Sequence, residues 1–395
     1  KRFANFGAVG AAWIFSKEKF IMQKLPFISF GKFRMSYGLT GNDQIADYGY
    51  LDTYTPAPFP YQGNAAVYPT GLFNADYGWE TNKKLEAGLE LGLFHDRLLF
   101  SLDYYNNRSS NQLVGLPLAP TTGFNIVQFN LPATVQNTGL EMEIESSIIR
   151  TKHFTWSSEF TITIPRNKLL SYPNLEGSPY ARIYEVGKSL FIQRKLHVEG
   201  VDSKTGLYDI QDVNGNGNSF DIPDDLQSLK QVSQQYYGGL NNNLHFKNWD
   251  VSMFIQFVKQ TGFNYLYGGV FAMPGTLGNQ PSLVLNNWKA PGDIAGSQVL
   301  SQSYGSLAYQ SYSTVDVYGD NVIGDASYVR LKNLSVSYSL PAKWFQKLKS
   351  IQCRVFIKGQ NLLTFTNYQG LDPENNGANR LPPLKTTVAG LVITL

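Results

Sequence analysis

Three sets of residues in this 395-residue chain have types and spacings that could do chemistry. The first is Asp212-Val-Asn-Gly-Asn-Gly217, which offers side-chain oxygens at Asp212, Asn214 and Asn216 and glycine at the sixth position. That is how a calcium loop opens. Its twelfth position, where a bidentate carboxylate belongs, is Pro223, and Asp221, Asp224 and Asp225 lie close enough to substitute. A solvated Asn/Gly turn is the competing reading. The second set is carboxylates: Glu86, Glu90, Glu141, Glu143, Glu145 and Glu159. A pair of them could act as acid and base in glycoside hydrolysis. On a strand, however, carboxylates at i and i+2 share one face, and a wet wall explains them more simply. The third set is the aromatics Tyr265, Tyr267, Phe271, Trp288, Tyr304, Tyr309 and Tyr312. These could stack on sugar rings or pack a partner; alternatively, they pack their own loops together.

Other chemistry is hard to place. No GxSxG elbow, phosphate loop or dinucleotide fingerprint occurs, so the chain is not read as an enzyme. His95, His153, His197 and His245 lie far apart without ligand spacing, and the single Cys353 excludes an internal disulfide. Apart from the possible Ca²⁺ in loop 212–225, no cofactor is expected.

The elements that carry these residues are strands. Leu85, Ala87, Leu89, Leu91 and Leu93 alternate with Lys84, Glu86, Gly88, Glu90 and Gly92. Leu140, Met142, Ile144 and Ile148 alternate with Glu141, Glu143, Glu145 and Ser147. Phe154, Trp156, Phe160, Ile162 and Ile164 alternate with Thr155, Ser157, Glu159, Thr161 and Thr163. Trp249, Val251, Met253, Ile255 and Phe257 alternate with Asp250, Ser252 and Gln256. Noisier alternation covers 3–15, 27–39, 98–113, 235–246, 326–340, 351–365 and 386–395. The pattern predicts about eleven strands, most of them about ten residues or longer. Globular strands average about five or six residues, whereas a tilted strand crossing a bilayer needs about nine to eleven.

Short turns at 95–97, 150–152 and 247–248 and moderate ones at 16–26 and 341–350 alternate with long segments at 40–80, 114–135, 170–232, 264–324 and 366–384. Short turns on one side and long extracellular loops on the other mark outer-membrane barrels. A soluble barrel or sandwich also alternates. Strand length, loop asymmetry and aromatics near strand ends favour the membrane. An Arg or Lys facing mid-bilayer lipid costs about 2–4 kcal/mol, so the acidic rows must face the lumen. A one-residue slip would turn all of them outward. An odd strand count further predicts that this is part of a larger barrel, completed by residues upstream or by another chain.

Composition agrees with an all-β fold. Aromatics make up 14% and charged residues 16%, against roughly a quarter charged in an average soluble domain. That argues against disorder and against a helical bundle. A net charge of +3 without charged blocks gives no nucleic-acid footprint. Cys353 falls on an apolar face with Val355 and Ile357.

Several segments resemble the SusC/RagA-type TonB-dependent outer-membrane transporters. The most specific are Asp325-Ala-Ser-Tyr-Val-Arg-Leu-Lys-Asn-Leu-Ser-Val-Ser-Tyr-Ser-Leu-Pro341 and Gly359-Gln-Asn-Leu-Leu-Thr-Phe-Thr-Asn-Tyr-Gln-Gly-Leu-Asp-Pro-Glu374. Ser36-Tyr-Gly-Leu-Thr-Gly-Asn42, the hairpin 82–114, Asn137-Thr-Gly-Leu-Glu141 and Asn287-Trp-Lys-Ala-Pro-Gly292 support them. The resemblance implies a transmembrane antiparallel barrel of about 22 strands, of which this chain would be the C-terminal half. The family's signal peptide, TonB-contacting segment and plug would precede it. It implies a SusD-like surface lipoprotein partner, TonB as energy source, and import of an oligosaccharide or a peptide. Members of the family usually end in an aromatic, whereas this sequence ends at Leu395, so either the assembly signal at the last residue differs or the true terminus lies further on. The other readings are a non-transporting structural or adhesive barrel, and a soluble carbohydrate-binding sheet that would extract without detergent.

Overall fold

A computed structural model of the chain describes residues 5–42, 47–60, 62–222, 224–268, 273–345, 352–375 and 380–394. Eleven long strands dominate: β1 (Gly7–Trp13), β2 (Ile28–Asn42), β3 (Glu80–Leu93), β4 (Leu98–Pro117), β5 (Ile126–Arg150), β6 (Phe154–Ser171), β7 (Gln234–Phe246), β8 (Trp249–Phe263), β9 (Tyr328–Ser339), β10 (Gln352–Thr366) and β11 (Thr386–Thr394). Each lies beside its sequence neighbour, and a short strand, Ile323–Asp325, adds to β8. By internal contacts the chain divides into two compact units, Lys1–Met142 with Pro165–Leu190 and Glu143–Ile164 with Phe191–Leu395.

In the first unit the antiparallel register aligns side chains of one kind. Val9, Ala11 and Trp13 of β1 stand opposite Tyr37, Met35 and Phe33 of β2, which stand opposite Leu85, Ala87 and Leu89 of β3. Leu89, Leu91 and Leu93 in turn face Leu102, Phe100 and Leu98 of β4. One residue out of phase, Ser36, Arg34 and Lys32 pair with Glu86, Gly88 and Glu90, and those with Tyr105, Asp103 and Ser101. One sheet face is therefore aliphatic and aromatic, and the other is polar. The apolar rows are not enclosed: Val9 is 70% exposed, Trp13 52% and Met35 47%.

The second unit repeats the division. Trp156 and Phe160 of β6 align with Leu244 and Leu240 of β7, then Val251 and Ile255 of β8, then Val336 and Leu331 of β9. Val355 and Ile357 of β10, with Leu391 and Ala389 of β11, continue the apolar face. The noise in 326–340 has a local cause. The β8–β9 and β9–β10 registers both shift around Lys332, so Leu331 and Leu334 fall on one face although three residues apart.

The long segments are more ordered than expected. Segment 114–135 is largely the tip of a hairpin, because β4 runs to Pro117 and β5 starts at Ile126. Leu131, Ala133 and Val135 alternate there and pack on Leu169 and Tyr172, with Tyr180, Tyr184 and Leu190 around them. Segment 40–80 holds a small hairpin, Thr53–Pro56 with Val67–Gly71. Segment 170–232 contains the strand pairs Ile192–Lys195 with Ser228–Gln231 and Val198–Val201 with Tyr208–Ile210. Segment 264–324 contains a twelve-residue helix, Leu307–Tyr318. Among the described residues no helix is long and apolar enough to cross a membrane.

Candidate functional site

The polar rows of the strands form the first part of the site. In the first unit Lys32 Nζ lies 3.1 Å from Glu90 Oε1, Arg34 Nε lies 3.3 Å from the same oxygen, and Arg34 Nη2 donates to Asp103. Gly88 lies between Arg34 and Asp103 across the sheet, and a Cβ there would collide with both side chains. Glu90 is thus part of an ion-pair ladder, while Glu86 and Glu141 are exposed on their strands. In the second unit Glu143 has Glu145 and Glu159 as its acidic neighbours, and Asn241 Nδ2 donates to Glu159 Oε2 at 3.5 Å. Below them His245 Nδ1 lies 2.7 Å from Asp250 Oδ1, beside a hollow of about 440 Å³ lined by Thr155, Ser157, Arg354 and Lys358, among others. Hydroxyls, amides and both signs of charge line these faces, an arrangement that can hydrate a polar solute.

The second part is the loop assembly of the second unit. The strand pairs 192–195 with 228–231 and 198–201 with 208–210, together with the helix, enclose Leu196, Ile210 and Val315, with Tyr208 and Leu226 against them. Asp320 is 6% exposed and organises the polar side of this core. It accepts from His197 Nδ1 at 2.9 Å, Val198 N at 3.1 Å and Ser228 Oγ at 3.0 Å, with Lys230 Nζ at 3.1 Å. Burial alone would raise its carboxyl, but these four partners prevail and hold it below the usual carboxylate range. Lys195 Nζ donates to Val317 O at 2.7 Å and sits over the rings of Phe263 and Tyr267. Burial lowers this lysine to about 8 against a partial opposing effect of Asp316.

The aromatic candidates divide. Tyr267 stacks on Phe263 with ring centroids 4.1 Å apart, and Tyr265 N donates to Gln369 O. Trp288 lies on Gly206 and its indole N–H donates to Ser203 O at 3.0 Å. Tyr312 is half-buried on the helix, where burial and then the nearby Asp316 push its phenol up. These four pack the loops together. Tyr304, 71% exposed, meets Tyr309 edge-on and is the candidate that presents a ring to solvent. Phe271 lies outside the described residues.

In loop 212–225 both carboxylate oxygens of Asp212 are used, one accepting from Gly215 N and the other from Gly217 N, each at 2.7 Å. Asn214 Oδ1 accepts from Asn216 N and Asn216 Oδ1 from Asn218 N. Pro223 lies outside the described residues.

A third feature was missed by sequence reasoning. The Arg330 side chain is 1% exposed, and its guanidinium reaches Asp372 Oδ2 and Glu374 Oε2, with Nε donating to Thr364 Oγ1 at 2.9 Å. Lys332 reaches Glu374 at 2.8 Å, and Tyr328 lies under the guanidinium. Gln260 Nε2 donates to Ala326 O and Pro373 O, and Tyr368 Oη donates to Phe263 O. This cluster welds the start of β9 to the segment after β10. The signal was present: Arg330 stands in a row of hydroxyls and amides, where a lone cation needs a partner.

The family profile described as "TonB dependent receptor-like, beta-barrel" matches residues 6–362. The chain belongs to this family of outer-membrane β-barrels, whose members are transporters rather than enzymes. It is similar to TonB-dependent receptor P3 of Formosa agariphila, with 28% identity over 424 residues, covering 99% of this chain and 40% of that protein. It is also similar to TonB-dependent receptor SusC of Bacteroides thetaiotaomicron, with 24% identity over 420 residues, covering 99% of this chain and 40% of SusC. Its fold matches a chain of the RagAB peptide importer in the "open-open" state with a TM-score of 0.80 and 24% identity, covering 99% of this chain and 42% of that one. The SusC/RagA resemblance read from the motifs at 325–374 is thereby supported. The chain spans about 40% of the length of the curated relatives it matches.

Proposed function

We propose that this chain contributes the wall and several extracellular loops of an importer that carries a large polar nutrient, an oligosaccharide or a peptide, across the outer membrane. The observation that carries this reading is the register of the strands. In the first unit it turns Leu85 and Leu89 to one face and Lys32, Arg34, Glu86 and Glu90 to the other, and in the second it separates Met253 and Ile255 from Asp250 and Ser252 in the same way. An apolar face suits acyl tails, and a hydroxyl- and charge-lined face suits a hydrated passage. Glu86, Glu90, Glu141, Glu143, Glu145 and Glu159 would line that passage.

TonB would energise the cycle through parts of the protein beyond this chain. A SusD-like lipoprotein would close over the loop assembly, with Tyr304 and Tyr309 as contacts for the nutrient or the lipoprotein. Support comes from family membership and from the likeness to SusC and to a structure titled a peptide importer. The test is uptake of labelled oligosaccharides and peptides by cells carrying or lacking the full-length gene, with and without the proton gradient. The reading expects gene-dependent, gradient-dependent uptake of one class, and a lipoprotein that co-purifies with the tagged barrel. Loops that bind a partner with no uptake of either class would favour an adhesive barrel instead.

A further inference from the structure

Asp225 is fully buried, at 0% exposure, and its two carboxylate oxygens have different surroundings. Oδ1 accepts the Val213 amide at 3.0 Å. Oδ2 is buried and has no hydrogen-bond partner among the described residues. An ionised carboxylate out of water without a partner is costly, so such an oxygen needs a cation or a proton. The Val213 amide that anchors it belongs to the second residue of the Asp212–Gly217 turn. The carboxylate is therefore held against the backbone between Asp212 and Asn214, the first two oxygen donors of that turn.

We propose that loop 212–225 binds a calcium ion through side-chain oxygens of Asp212, Asn214, Asn216 and Asp225. Asp225 takes the place of the acidic residue that Pro223 displaces from the usual register. The chain supplies oxygen donors only, which suits a hard cation. Gly215 and Gly217 adopt φ of 70° and 84°, left-handed values that let the turn curl back on Asp212. Among the described residues no group of three or more His, Cys, Asp or Glu is placed to hold a metal. The site therefore depends on two carboxylates and two amides. So low a ligand charge places its affinity at the weak, extracellular end of the calcium range, a dissociation constant of about 10⁻⁴–10⁻³ M. The ion would act as a staple. The loop leaves the strand Tyr208–Ile210 and returns to Ser228–Gln231, and Leu226, beside Asp225, packs on the Leu196/Ile210/Val315 core.

The proposal does not rest on the import reading and is tested separately, in the full-length protein purified in detergent. Asp225→Asn keeps an oxygen for Val213 and removes the unpartnered anion. Equilibrium dialysis with radioactive Ca²⁺ is expected to find one more bound ion per chain in the wild type than in Asp225→Asn or Asp212→Asn. Limited proteolysis supplies a second readout. In chelator, Asp225→Asn should resist cleavage within the loop at least as well as the wild type. In millimolar Ca²⁺ the order should reverse, because only the wild type gains protection. Equal ion counts in wild type and both variants, or protection of the wild type that ignores Ca²⁺, would overturn the proposal.

Discussion

Leu89 and Leu196 show two ways in which this chain treats the same side chain. Leu196 follows a short strand of the loop assembly and is completely buried among Ile210, Val315 and their neighbours. Leu89 stands in the middle of β3 with Phe33 on one side and Leu102 on the other, and is only partly covered. The contrast is general. Among the described residues of the first unit the buried apolar ones are Tyr77, Leu131, Ala133, Val135, Leu169 and Tyr172, none of them from the alternating rows of 83–93. A soluble β-protein would bury its strand rows and expose its loops. Here the loop segments, with the adjoining ends of β5 and β6, keep their own cores, and among the described residues strand rows such as Leu85–Leu93 are only partly covered. The solvent that completes them is the acyl interior of a membrane.

That contrast can be broken or sharpened by substitution. The largest effect is expected at the buried ion cluster. Arg330→Ala leaves Asp372 without its partner and should cost about 3–5 kcal/mol, whereas Arg330→Met combined with Asp372→Asn and Glu374→Gln should recover most of it. Urea unfolding of the full-length protein reads both. Next comes the apolar face of the strands. Leu89→Arg should lose about 2–4 kcal/mol of folding free energy in phospholipid vesicles. Inside the loop assembly Val315→Ala removes about two methylene equivalents from a closed core, and should cost about 2 kcal/mol. Loss of protease resistance confined to 191–232 and 307–325 would localise it.

A smaller effect is tied to pH. Lys195 is held at about 8, below its ordinary value, so the folded loop releases a proton that the unfolded chain still binds. Stability of the assembly should therefore rise between about pH 8 and 10.5, by roughly 1–2 kcal/mol once solvent screening reduces the full linkage effect, and be flat just below pH 8. Lys195→Met should abolish that slope in pH-dependent proteolysis. Smallest of all, Ser252→Lys on the polar face should change vesicle stability by no more than about 0.5 kcal/mol. A cost equal to that of Leu89→Arg would erase the distinction between the faces.

Much of the sheet was legible in the sequence, because period-two alternation survives wherever both faces are used. Leu85–Leu93 and Trp249–Phe257 announced their register without help. Alternation was blurred where Lys332 is bulged. The carboxylate rows were legible as faces, but the partners of Glu90 were not, since Lys32 and Arg34 lie 58 and 56 residues earlier in the chain. Asp320 was invisible for the same reason, and Arg330 was legible only as a cation in a row of hydroxyls and amides, without its partners. A buried ion is recognised by what surrounds it, and its partners come from segments that alternation does not connect. Asp225 was named only as a substitute ligand, and its burial is what singles it out.

The most direct test uses single cysteines at positions 84 to 87 and 89 to 91 of the full-length protein, with Cys353 replaced by Ser, each labelled with a small fluorophore in lipid vesicles. Brominated lipid should quench labels at 85, 87, 89 and 91, and aqueous iodide those at 84, 86 and 90. The reverse assignment, or quenching without a two-residue period, would contradict a wall with lipid on one face and water on the other.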